Sequence, residues 1–298
     1  MKVVVLGANG FIGHHVCLDL ATAGHAVTRI GRREQNPGDT TVDLFDEATP
    51  LSDIFEGADA CIHLACDIVP SSAEAAGWHG FERNVKLAGR VADACSHAGI
   101  GILVFASSGG TVYGNVLCGA HEGQACVPIG MYGAQKVAAE ALLRARLSGS
   151  KTRLVLLRLS NPFGPGQEAR RVHGVIGRIF YSILTGEPFT IWGDGSQVRD
   201  YVPVSDVARA FTLALDRSTK SDVFNIGSGV GLNMIELIEL CSKISGVPLR
   251  YSFRPKSSYE VDRIFLDISL ASRDLGWSPE ISLNDGLSNY FNYLKESL

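Results

Sequence analysis

The sequence predicts an α/β protein: a doubly wound parallel sheet with a smaller α/β region on its C-terminal side. Three observations carry this expectation. Short apolar runs alternate with helix-like segments through the first half. A glycine-spaced turn joins the first apolar run to the first helical segment. After Ser160 the alternation gives way to Asn161-Pro162-Phe163-Gly164-Pro165-Gly166, and then to mixed short elements.

The first strand is Lys2–Leu6, nearly all apolar, as a strand buried on both faces must be. A helix starts near Phe11. Further strands fall at Ala26–Ile30, Thr41–Asp43, Ala60–Leu64 and Ile102–Ala106, with helices starting near Leu51, Ala73 and Met131. Thr152–Arg158 reads as a sixth strand, Leu- and Val-rich and almost unbroken. Strands separated by helices imply right-handed crossovers and a sheet covered on both faces. Residues 1–160 are expected to form a nucleotide-binding unit and 161–298 a second region, with some chain crossing between them.

Composition narrows the function classes. With 298 residues, 46% hydrophobic and 19% charged, the chain can bury a large core and is not a disordered protein. A net charge of -4 without Lys/Arg runs speaks against nucleic acid as a partner. The apolar run 2–6 stops at Gly7, too short for a secretory leader, and no stretch is long enough to span a bilayer. A cytoplasmic protein with no membrane partner is expected. Seven scattered cysteines form no C-x-x-C pair and read as reduced core thiols; no residue cluster has metal-ligand spacing.

The turn Gly7-Ala8-Asn9-Gly10-Phe11-Ile12-Gly13 runs from strand into helix with G-x-x-G-x-x-G spacing. One glycine permits the tight turn, one lets backbone approach a pyrophosphate, and one allows close helix–strand packing. The helix start offers free N–H groups to phosphate. This reads as a Rossmann-type dinucleotide site, with Gly7, Asn9, Gly10, Phe11, Ile12 and Gly13 at the cofactor; a plain structural turn is the alternative. An acid ending the second strand would favour NAD. None appears before Glu34, and Arg32 or Arg33 is able to pair with a 2′-phosphate, so NADP is favoured over NAD. If both arginines are merely solvated, the cofactor is NAD. Asp43 and Leu44, after the third strand, fall at the adenine side or serve equally as strand-end turn residues.

Tyr132 and Lys136 stand four apart, on one helix face. An ammonium group there favours the phenolate and lowers the tyrosine pKa toward the working pH. The tyrosine can then move a proton at a sugar hydroxyl while hydride passes to or from nicotinamide. Ser107, Ser108 and Thr111 follow the strand that ends at Ala106, where open parallel sheets place their sites. Turn chemistry alone would also use such residues.

Together these stretches resemble the extended short-chain dehydrogenase/reductase family, in particular its nucleotide-sugar epimerase/dehydratase group of the UDP-glucose 4-epimerase kind. The resemblance rests on GANGFIG (7–13), IHLA (62–65), SSGGTVYG (107–114), YGAQK (132–136), LRLSNPFGPGQ (157–167), WGDGSQVRDYVPVSDVA (192–208), FNIGSG (224–229) and LGW (275–277). It implies Tyr132 as acid/base with Lys136 as its partner, and Leu64 and Ala65 beside the cofactor. It implies Asn161 near the substrate phosphates and Arg199 on a sugar-nucleotide pyrophosphate. Arg254 is a second phosphate contact in this alignment, with Arg263 its competitor.

Two departures stand out. The family's catalytic Ser or Thr position is Gly109 here, so either Thr111 or Ser108 supplies the hydroxyl or Tyr132 works with weaker assistance. Gly109-Gly110-Thr111 also stands where 4,6-dehydratases carry Thr-Asp-Glu, which argues against that reaction. The expected substrate is a nucleoside-diphosphate sugar. The expected reaction is 4-epimerisation through a 4-keto intermediate, with an NADPH-dependent 4-ketoreductase as alternative and a non-catalytic dinucleotide sensor behind both. The resemblance also implies a homodimer through segments 81–98 and 132–147. Among other residues, His63 and Trp192 read as packing groups and His121-Glu122 as a loop pair. His173 is a sugar-pocket candidate, and Cys66, Val69, Pro70 and Ser71 would edge the substrate.

Overall fold

A computed structural model describes residues 1–32, 34, 38–167, 174–216, 218–256 and 259–297. Arg33 and His173 lie outside the described residues. The first lobe begins with β1 (Lys2–Leu6), α1 (Phe11–Thr22), β2 (Ala26–Gly31), β3 (Thr40–Thr41), α2 (Leu51–Ile54) and β4 (Ala60–His63). It continues with α3 (Pro70–His97), β5 (Ile102–Ser108), the short α4 (Gly109–Val112), α5 (Met131–Leu147) and β6 (Arg153–Leu159). The third strand is shorter than expected and ends before Val42, because only Thr40 and Thr41 find partners, on Ile30 and Gly31. α3 begins at Pro70, ahead of the expected Ala73, and bends at Gly77, where φ is 52° and ψ -143°.

The remaining chain forms β7 (Asn161–Phe163), α6 (Val175–Thr185), β8 (Phe189–Trp192), β9 (Val198–Pro203), α7 (Val204–Leu213) and β10 (Val223–Ile226). It ends with β11 (Gly231–Asn233), α8 (Met234–Ser245), β12 (Tyr251–Arg254), a π-helical turn at Ala271–Leu275 and α9 (Leu283–Ser297).

The main sheet has seven parallel strands in the order β3-β2-β1-β4-β5-β6-β10. Its strands are apolar because both faces are covered. Val3 and Val5 of β1 join one core with α1 and α7, while Val4 and Leu6 join the other with α3 and α5. β10 and α7 come from the second half of the chain, yet belong to this lobe. The strand order reverses between β1 and β4, so a crevice opens at their carboxyl ends, the position where such sheets bind ligands.

The second lobe meets the carboxyl end of β5, where Asn161 of β7 lies against Gly110. A β7-β9-β11 sheet and a β8-β12 pair enclose a separate core with α6, α8 and α9, containing Phe163, Phe180, Tyr201, Leu237 and Tyr290. Trp192 was expected to pack here but is half exposed. Strand alternation turns Phe189 and Ile191 inward and Trp192 outward, where the Arg254 guanidinium lies 6.0 Å from its ring centroid.

Candidate active site

The glycine turn has the shape a pyrophosphate needs. Gly7 has φ 86°, and a Cβ there would stand 2.8 Å from the backbone nitrogen of Ala65. A Cβ on Gly13 would stand 2.1 Å from the Gly7 carbonyl oxygen. The turn therefore packs directly on the Leu64–Ala65 backbone, and α1 packs directly on the turn. Gly10 is the N-cap of α1, with no side chain capping it and no acid in the first turn. The N–H groups of that turn remain available to an anion, as a dinucleotide requires. The cradle fits the cofactor that the motif implies.

At the adenosine end, Arg32 is exposed just past β2. Arg29, three residues earlier, is bound by Asp39 at 2.8 Å. The Asp43 carboxylate accepts the Phe45 N–H at 3.1 Å, and Leu44 is buried in the α3/α5 core. Asp43 thus shapes the turn after β3, with Leu44 anchoring it.

α5 carries the tyrosine–lysine pair. Its first N–H, on Met131, is accepted by the Glu74 carboxylate of α3 at 2.6 Å. A Cβ on Gly133 would stand 2.5 Å from the Thr111 carbonyl, so only glycine lets α5 come this close to α4. Tyr132 is thereby placed beside the Ser108–Thr111 turn. The Lys136 ammonium lies 5.6 Å from the Tyr132 ring centroid and donates to the Ala106 carbonyl at 2.9 Å. Burial pushes the Tyr132 phenol well above its ordinary pKa, with a smaller contribution from Cys66 in the same direction. The lowered value expected from spacing is not what the protein alone produces. Desolvation dominates, and the lysine is engaged on a backbone carbonyl.

The two hydroxyl candidates meet. Thr111 donates to Ser108 Oγ at 2.9 Å. Gly109 faces away: a Cβ there would stand 2.7 Å from Leu266 Cδ1 and 2.9 Å from the Arg158 carbonyl. The glycine is needed for packing, since a side chain there would have to displace Leu266 and would crowd the Arg158 carbonyl.

Asn161, on β7, donates to the Asp200 carbonyl at 2.9 Å and lies against Gly110. The neighbouring Arg199 is partly buried on β9 and donates to the Val198 carbonyl at 2.9 Å. Burial pulls its guanidinium below the ordinary value, against the opposing pull of Tyr201, Glu260 and Asp262. Arg254 is exposed on β12, over Trp192, and Arg263 lies over Phe265. His63 is fully buried against Phe105, and burial together with Lys136 lowers its pKa to about 3.

Several residues escaped the motif reading. Asn84 of α3 binds the loop after β4, accepting from the Asp67 N–H at 3.2 Å and donating to its carboxylate at 2.5 Å. Cys66 receives the Gln135 amide at 3.7 Å, close to Tyr132. Glu140 and Arg158 form a buried ion pair at 2.7 Å. The available signal was polar residues at inward positions of otherwise apolar elements.

The profile of the "NAD dependent epimerase/dehydratase family" matches residues 3–227. A "Putative UDP-glucose 4-epimerase" of Methanocaldococcus jannaschii is 32% identical over 99% of both chains. The structure of the Thermotoga maritima UDP-glucose 4-epimerase with UDP-glucose superposes with a TM-score of 0.92, at 30% identity, covering 100% of this chain and 99% of that one. A UDP-glucuronic acid 4-epimerase from Bacillus cereus, in complex with UDP-glucuronic acid and NAD, gives 0.89 at 27% identity over 100% of both. None of these comparisons supports the expected preference for NADP. Among the described residues, no helix is long and apolar enough to cross a membrane. The glycine cradle, the Tyr132/Lys136 helix and a family match running from β1 to β10 agree: the chain belongs to the NAD dependent epimerase/dehydratase family and is a nicotinamide-dependent enzyme of its nucleotide-sugar epimerase kind.

Proposed function

We propose that the protein is an NAD-dependent 4-epimerase of a UDP-hexose. The observation that supports this reading is the packing of α5, which carries Tyr132 and Lys136, against the turn after β5 that carries the Ser108–Thr111 pair: a Cβ on Gly133 would stand 2.5 Å from the Thr111 carbonyl oxygen. When bound, the oxidised nicotinamide supplies a hydride acceptor and a positive charge.

The chain's residues do the rest. Gly7, Gly10 and the first turn of α1 hold the dinucleotide phosphates, with Asn9, Phe11, Ile12, Leu64 and Ala65 around them. Arg199 binds the sugar-nucleotide diphosphate, and Asn161 stands beside it. Tyr132 takes the proton of the C4 hydroxyl as hydride leaves C4, and gives it back to the C4 oxygen once the 4-keto sugar has turned its other face to the returning hydride. Ser108 donates a hydrogen bond to the same oxygen, and Lys136 keeps a positive charge near the phenol. Family resemblance supports a homodimer formed through the outer faces of α3 and α5.

A one-way 4-ketoreductase using NADPH is the second reading, favoured by Arg32 standing exposed at the end of β2. The dinucleotide released on denaturing the fresh protein separates them. An epimerase recycles its cofactor and releases NAD in stoichiometric amount. An empty protein that binds NADPH more tightly than NADH would favour the reductase.

A further inference from the structure

Three neighbouring strands end in a polar row. Ser107 of β5 stands opposite Arg158 of β6, and Arg158 stands opposite Asn225 of β10. All three face the side covered by α3 and α5, where Phe105 and Leu156, two residues earlier on their strands, are core. Their exposures are 3%, 5% and 0%. Glu140 of α5 comes down on this row. Arg158 donates to its two carboxylate oxygens at 3.0 and 2.7 Å, and Ser107 donates to one of them at 2.5 Å. Arg158 also donates to the Tyr113 hydroxyl at 2.9 Å, which donates to Asn225 at 2.7 Å. The Asn225 amide group donates onward to the carbonyls of Ala120 and Asp267 at 2.8 and 3.2 Å.

Stability gives little reason for this arrangement, because a well-packed apolar pair would serve a core as well as a buried ion pair. The forked guanidinium supplies direction: two parallel bonds fix the rotation and height of the helix that carries the carboxylate. Glu140 lies four residues after Lys136 and eight after Tyr132, on the same face of α5. Any rotation allowed at Glu140 is passed to both. The other bond from α5 to this end of β5 is Lys136 to the Ala106 carbonyl. A lysine needed by a ligand cannot also be the fixed anchor. Glu140, 4% exposed with its carboxylate fully engaged, can.

We propose that Glu140, held by Arg158 and Ser107, is a positioning residue that sets Tyr132 and Lys136 against the Ser108–Thr111 pair. It rests on the epimerase reading above. It touches neither cofactor nor substrate; its effect passes through α5.

The test compares wild type with Ser107→Ala, Glu140→Gln and the double variant Glu140→Leu/Arg158→Met. Turnover per bound dinucleotide, KM for UDP-glucose and the primary isotope effect with C4-deuterated UDP-glucose are measured for each. Small misplacements of a reacting group cost on the order of 100-fold, so Glu140→Gln and the double variant are expected to lose about that in kcat. Ser107→Ala, which spares the ion pair, should lose about fivefold to tenfold. KM should stay within about twofold and the isotope effect should rise, as expected when the chemical step alone is slowed. The double variant should recover the thermal stability that Glu140→Gln loses, yet remain slow. Wild-type kcat and isotope effect in Ser107→Ala and the double variant would overturn the proposal and leave the cluster a purely structural one. Crystal structures of the two variants test it without turnover. A Tyr132 hydroxyl displaced from Ser108 supports positioning, and superposable sites refute it. Wild-type protein inactive on UDP-glucose would count against the epimerase reading alone.

Discussion

Thr111 donates its hydroxyl to Ser108 Oγ at 2.9 Å, which leaves the Ser108 hydrogen free for another acceptor. On the proposed mechanism Ser108 would be the group that donates to the C4 oxygen, with Thr111 orienting it. Ser108→Ala should lower kcat by about 100-fold, the scale of losing one aligned donor. Thr111→Val should cost about tenfold, because the serine remains but turns freely. Steady-state rates on UDP-glucose check the order; a larger loss for Thr111→Val would exchange the two roles.

Restoring the missing family hydroxyl should not help. A side chain at Gly109 meets Leu266 and the Arg158 backbone at under 3 Å. Gly109→Ser is expected to destabilise the protein by about 1–3 kcal/mol, as overpacking does, with no gain in kcat. Thermal melting and rate assays read the two effects separately. A stable, faster variant would contradict the packing explanation.

Arg199 is a partly buried cation that desolvation disfavours, a state that the diphosphate of the proposed substrate would relieve. Arg199→Ala should raise KM for the sugar nucleotide by about 100-fold, the scale of a lost charge-assisted contact of about 2–3 kcal/mol. NAD affinity should be unchanged. Calorimetric titration of each ligand separates these results, and equal losses would remove Arg199 from the substrate site.

Acid should unfold the protein partly through His63. Burial lowers its pKa to about 3, against 6.5 for the free side chain. A depressed folded value means that His63 binds its proton more readily in the unfolded chain. The neutral histidine thus costs nothing above about pH 6.5, and stability is lost progressively as pH falls from there toward about 3. A His63→Leu variant should show a smaller drop in Tm between pH 7 and pH 4 than wild type, on the order of half the drop. Parallel acid curves would assign the loss to other groups.

Local features were legible in the sequence. The β1–α1 turn is written in glycine spacing, although the backbone that Gly7 must clear, at Ala65, lies far along the chain, and Tyr132 and Lys136 share a face by helix geometry alone. Gly109 stands out in the sequence, but its packing partner, Leu266, lies 157 residues away in the chain. The polar row was not legible, because Ser107, Arg158 and Asn225 become neighbours only through the register of three strands from distant parts of the chain. The same holds for Glu74, which caps α5 across 57 residues. β10 is a four-residue strand with no periodicity of its own to assign it to the main sheet. The phenol's raised pKa escaped because spacing reveals a neighbouring charge but not burial.

The most direct test of the central claim is proton NMR of UDP-glucose incubated with the purified protein, without added cofactor. UDP-galactose should accumulate to equilibrium with the C4 hydrogen retained in deuterated water, since the hydride leaves and returns within one active site. No change in the sugar, or incorporation of solvent deuterium at C4, would contradict a 4-epimerase that works through its own bound NAD.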